Sequence, residues 1–108
     1  MATFDDFLTA LESSILGFAE SSWNAYKKQA ILDGNAFIDK SKTDLEHWTI
    51  QLAKREISKN DFKWLVKGKK DLAELIALKQ EGLGKAALDG FINGLIDTIV
   101  STACKVFL

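Results

Sequence analysis

Proline is missing from all 108 residues, cysteine and histidine occur once each, and glycine occurs seven times. Without proline, no residue forces a helix to end, and long helices are open to the whole chain. One cysteine makes no internal disulfide, so no disulfide framework holds the fold and nothing marks an oxidising compartment. The expected location is therefore cytoplasmic. A single His47 and a single Cys104 also exclude the paired His and Cys ligand sets of structural zinc.

Charge of one sign is equally scarce in excess. The formal net charge is −1, far from the markedly basic balance typical of nucleic-acid-binding domains, so nucleic acid is not an expected partner. With 47% hydrophobic and 27% charged residues, the composition lies outside the disordered class. Residues 1–108 should form one helical domain that buries roughly 65% of the surface its unfolded chain exposes.

The first residues, Met1 to Asp6, are acidic where a secretory leader is basic, so no cleaved signal is expected. The most apolar stretch, Ala86 to Leu108, is interrupted by Asp89, Asp97 and Lys105, which argues against a spanning helix of ~20 apolar residues. Cys104 misses the terminal prenylation spacing by one position.

What the chain does contain is apolar periodicity. Thr3 with Asp6 reads as a capping box, so a helix should start near Phe4, with Phe4, Phe7, Leu8, Leu11, Ile15 and Phe18 on one stripe. From Trp23 to Ile57, the residues Trp23, Tyr26, Ala30, Gly34, Phe37, Ser41, Leu45, Trp48 and Leu52 share a side, and Ile31, Ile38, Leu45 and Leu52 recur every seven residues. Asp33-Gly34-Asn35 is a turn signal, and Thr43 to Glu46 imitates a capping box. The seven-residue spacing crosses both without losing phase, which predicts one helix ~50 Å long.

Ser58 with Asp61 is a second capping box, and Ile57 with Phe62 fits the hydrophobic staple that sets the entry angle of the next helix. That helix carries Phe62, Leu65, Val66, Leu72, Ala73 and Ile76, runs to about Glu81, and meets Gly82 and Gly84 as cap or hinge. The last segment, Lys85 to Phe107, holds a bulky row (Leu88, Phe91, Ile92, Leu95, Ile99, Val100, Ala103) and a row of small residues (Ala86, Gly90, Gly94, Thr98, Thr102). The two are turned apart by roughly 110°.

These elements predict an all-α fold: a long antiparallel hairpin turning near Ser58, with a flanking N-terminal amphipathic helix, in a three- to four-helix bundle, alone or completed by oligomerisation. Pairing residue i with about 116 − i sets Gly90 beside Tyr26, Gly94 beside Trp23 and Gly68 beside Trp48, bulky ring against glycine. The bulky row then faces away and needs a cover, either the first helix of the same chain or a second chain.

Charge is unevenly spread. Residues 1–53 sum to −4, residues 54–70 to +5 and residues 71–108 to −2. A basic tip, led by Lys63, Lys67, Lys69 and Lys70, should face an acidic partner or the acidic end of another copy. Lys54, Arg55, Lys59 and Trp64 adjoin it, and the plain alternative is a solvated face.

Catalytic and metal chemistry find little support. His47, flanked by Asp44 and Gln51, lacks co-ligands and reads as a surface residue. Cys104 reads as a small buried or interfacial residue, distant from His47 in the hairpin. Asp5-Asp6 and Asp71 with Glu74 look like helix-end or exposed residues, and Asp97 belongs with Asn93, Ser101 and Lys105 on a polar edge. Trp23, Trp48 and Trp64 read as core or interface anchors. No EF-hand loop, Gly-rich phosphate loop or nucleophile elbow occurs.

The sequence thus points to a non-enzymatic helical interaction or assembly module without cofactors, self-associating or binding a helical partner. The expected surface is Phe4, Phe7, Leu11, Leu88, Phe91, Leu95 and Ile99. The alternative is a peripheral membrane-associated protein that inserts the apolar C-terminal helix into an anionic bilayer, against which Asp89 and Asp97 count.

Overall fold

The computed structural model describes residues 2–77 and 84–108, and every regular element among them is helical. The order is α1 (Phe4–Ser22), a 3-10 turn (Asn24–Tyr26), α2 (Lys27–Lys40), α3 (Lys42–Ala53), α4 (Lys59–Lys67), α5 (Lys70–Ala77) and α6 (Lys85–Phe107). The expected end near Glu81 of the helix that follows Ser58, and its Gly82, lie outside the described residues.

α1 starts on the expected capping box. Thr3 N–H donates to Asp6 Oδ2 at 2.8 Å, and Asp6 N–H donates to Thr3 Oγ1 at 3.2 Å. Its stripe of Phe7, Leu11, Ile15 and Ala19 is buried, and α1 lies along α6, whose Phe91, Leu95, Ile96, Ile99 and Ala103 are buried too. α1 therefore packs on α6, with Phe18 against Gly94 and Ser14 hydrogen-bonded to Thr102 of the small-residue row, while the bulky row is buried within the chain by α1 together with its neighbours. Each large side chain buried this way stabilises the fold by ~1.5–3 kcal/mol.

The expected single helix across Trp23 to Ile57 is divided. A 3-10 turn follows Trp23, and Ser41, at φ −101° and ψ 5°, separates α2 from α3. A rod of the predicted length would also exceed the longest extent of the molecule, which measures 42 × 23 × 19 Å. The phase of the stripe gave no warning, because the hydrogen-bond ladder passes through the joint. Ser41 N–H donates to the Phe37 carbonyl at 3.0 Å, and the Ser41 carbonyl accepts from Leu45 N–H at 2.8 Å. A bend that keeps its ladder leaves apolar spacing intact while letting two short helices wrap the core. Phe37, Ile38, Leu45 and Leu52 all remain buried. The turn signal at Asp33-Gly34-Asn35 lies inside α2, where Gly34 serves close packing: a Cβ there would sit 3.1 Å from Ile15 Cγ2 of α1.

α3 ends with Arg55 in the left-handed region, at φ 60°. Arg55 N–H donates to the Leu52 carbonyl at 3.0 Å and Glu56 N–H to the Gln51 carbonyl at 2.9 Å, the paired bonds of a Schellman cap. α4 then starts on its expected capping box, with Ser58 N–H donating to Asp61 Oδ2 at 3.0 Å and Asp61 N–H to Ser58 Oγ at 3.1 Å. Ile57 and Phe62 join one apolar cluster. The helix expected from 59 to 81 is interrupted at Gly68 and Lys69, which separate α4 from α5.

The glycine pairings also differ from expectation. Gly94 receives Phe18 of α1 in place of Trp23, and Trp23 meets Phe91 edge-on at 5.4 Å. A Cβ added at Gly90 would meet nothing among the described residues within 4 Å. Near Gly68, the group over the Trp48 ring is the Lys69 ammonium, at 5.8 Å. The pairing assumed one straight hairpin, and the bends at Trp23, Ser41 and Gly68 shift each register.

Candidate binding surface

α4 is amphipathic by spacing. Phe62 and Val66 point inward and are fully buried, so the opposite side of the helix presents Trp64 to solvent with Lys63 and Lys67 beside it. Trp64 is 72% exposed, and the Lys67 ammonium lies 5.5 Å from its ring centroid. Such a contact holds the indole and the cation together as one amphipathic unit.

Beside it runs a groove of about 430 Å³ between α4 and α6, with Lys59 and Lys63 on one wall and Lys105, Ser101 and Cys104 on the other. Val100 forms part of its lining, and Asp97 is the single acid that reaches it. Three ammonium groups around one carboxylate leave a local excess of positive charge. Asp97, Ser101 and Lys105 belong to the polar row expected on α6, exposed at 97, 101 and 105.

The expected site residues divide sharply. Phe7, Leu11, Phe91, Leu95 and Ile99 are core residues, and Phe4 and Leu88 are partly buried against them, so these seven present no continuous outer surface. The physical reason is the fold-back of α1, which uses both terminal stripes on each other. Of the basic tip, Lys63 lines the groove and Lys67 covers Trp64. Lys69 is engaged elsewhere, in an ion pair with Asp44 of α3. Lys70 opens α5, half-buried.

Lys105 was not legible as part of a basic site, because it lies far along the chain from Lys63 and only the packing of α6 on α4 joins them. Trp64 carried a weak signal: it stands two positions from both Phe62 and Val66, on the side of α4 opposite its buried stripe. His47 is exposed, and Cys104 is half-buried at the groove wall. Among the described residues no group of three or more His, Cys, Asp or Glu side chains gathers as a metal site.

A second groove separates α1 from α2. It measures about 290 Å³, has Leu8, Leu11 and Ile38 as its apolar part, and carries Glu12 and Asp39 as its only charged lining residues. The two grooves thus bear opposite charge on different helix pairs. No family model matches the chain, and the curated proteins and solved structures searched contain no significant match.

Proposed function

We propose that this chain is a non-enzymatic helical interaction module that binds an acidic polypeptide surface through its α4–α6 face. The observation that carries the reading is Trp64, 72% exposed beside Lys63 and Lys67. Tryptophan is commonly buried for most of its area, and exposed indoles flanked by cations are typical binding anchors. The groove of Lys59, Lys63 and Lys105 extends the positive surface next to it. This moves the interaction surface expected from the sequence away from the terminal apolar stripes, which pack on each other.

Calorimetric titration with polyglutamate tests the reading. Saturable binding is expected at low salt, weaker at ~500 mM, where the screening length falls to ~4 Å. Binding should disappear in Trp64→Ser and in the double variant Lys59→Glu with Lys63→Glu. No binding by the native chain, or equal binding by all three proteins, overturns it.

A membrane reading draws on one observation, that α6 is long and apolar enough by length and composition to cross a bilayer. Its Phe91, Ile96 and Ile99 are buried in the fold, so insertion requires α6 to leave α1. Flotation with anionic vesicles decides: co-flotation with loss of the native thermal transition favours insertion, and protein left at the bottom of the gradient excludes it.

A further inference from the structure

We propose that the acidic surface engaged by Trp64 is a second copy of this chain, with the indole seated in the groove between α1 and α2. The inference rests on the reading of the α4–α6 face as a polypeptide-binding surface and names its partner.

Shape and charge agree at both ends of the contact. Trp64 projects from α4 with Lys63 and Lys67 beside it. The α1–α2 groove is lined by Leu8, Leu11 and Ile38 together with Glu12, Asp39 and Asn35, the last a side-chain acceptor for the indole N–H. An aromatic knob flanked by two cations therefore meets a groove of mixed polarity that carries two carboxylates. At about 290 Å³ the groove has room for one indole. Tryptophan buries ~150–250 Å² in such a seat, and the flanking ion pairs fix its direction.

Knob and hole belong to different helix pairs, so the contact is heterologous. Each copy that fills its neighbour's groove leaves its own groove open to the next, and such contacts continue into rings or open chains. The uneven charge along the sequence takes on a role here: the negative sum of residues 1–53 and the positive sum of residues 54–70 become the two faces of one repeating joint.

Light scattering coupled to size exclusion provides the test, with Trp64→Ser as the knob variant and the pair Glu12→Lys with Asp39→Lys as the hole variant. These positions are exposed, and circular dichroism verifies that each variant keeps its helical signal. The native chain should exceed monomer mass at ~20 mM salt, grow with concentration, and return to monomer at ~500 mM. Each variant alone should be monomeric. Mixed in equal amounts, they should form a dimer and stop there, because each pair holds one working knob and one working hole and the dimer uses both. A strictly monomeric native chain at low salt overturns the proposal, as does a mixture that stays monomeric. If that native monomer still binds polyglutamate through Trp64, the self-association inference falls and the binding-module reading stands. If it binds neither, both fall.

Discussion

Gly94 of α6 and Phe18 of α1 approach more closely than any side chain at position 94 would allow. A Cβ built on Gly94 would lie 2.6 Å from Phe18 Cε1, and the Phe18 ring is itself held in a stack on Phe91, with centroids 5.8 Å apart and planes 10° from parallel. This contact sets the spacing of the two helices that carry most of the core.

Alanine at position 94 must push the Phe18 ring off Phe91. Overpacking of this kind costs ~1–3 kcal/mol, and the better helix propensity of alanine recovers only ~1 kcal/mol. Gly94→Ala should therefore lose about 1 kcal/mol in urea unfolding. Gly90→Ala, one turn away with open space around it, should gain ~1 kcal/mol. Equal effects at the two positions would rule out the close approach.

Ser41 is 1% exposed, and among the described residues its Oγ has no hydrogen-bond partner. A buried hydroxyl without a partner costs ~1–3 kcal/mol, so Ser41→Ala should raise the thermal midpoint and stabilise the fold by ~1–2 kcal/mol. A lower midpoint would mean that the hydroxyl is needed at the joint between α2 and α3.

Arg55 closes α3 from the left-handed region, where a Cβ is unfavourable by ~1–2 kcal/mol. Arg55→Gly keeps the two capping bonds and removes that strain, so a gain of ~1 kcal/mol is expected by urea unfolding. Arg55→Ala, which retains the Cβ, should show no such gain.

Asp61 sits below the usual carboxylate range, chiefly because the Ser58 backbone N–H donates to it and secondarily because of the Ser58 side chain. A carboxyl group lowered on folding adds stability above its unfolded pKa and loses it as pH falls through the lowered value. The cap of α4 should thus weaken on the acid side. Ser58→Ala removes only the smaller contribution, so NMR titration of Asp61 should show a partial rise. A full return to the ordinary value would assign the shift to the hydroxyl alone.

The capped starts of α1 and α4 were the most legible features of the sequence. Both capping boxes, Thr3 with Asp6 and Ser58 with Asp61, form as read, because a cap depends on residues three apart and on nothing distant. The all-helical class and the buried stripe through Phe37, Leu45 and Leu52 were equally plain, since periodicity reports which side faces inward.

Bends were not legible. Ser41 keeps the hydrogen-bond ladder, so apolar spacing runs through it unchanged, and the straight hairpin drawn from that spacing misplaced Gly90, Gly94 and Gly68.

Local interactions by themselves determined where α1 and α4 begin, which side of each helix is apolar and how charge divides along the chain, because each depends on residues within a few turns. Only the tertiary structure decided what α6 packs against: α1 meets its small-residue row through Phe18 on Gly94, and Phe7, Leu11 and Ile15 share one core with Leu95 and Ile99 of the bulky row. The same packing brought Lys105 to Lys59 and Lys63 and left Trp64 outside. Burial is a property of pairs of surfaces, and one stripe read alone does not name its partner.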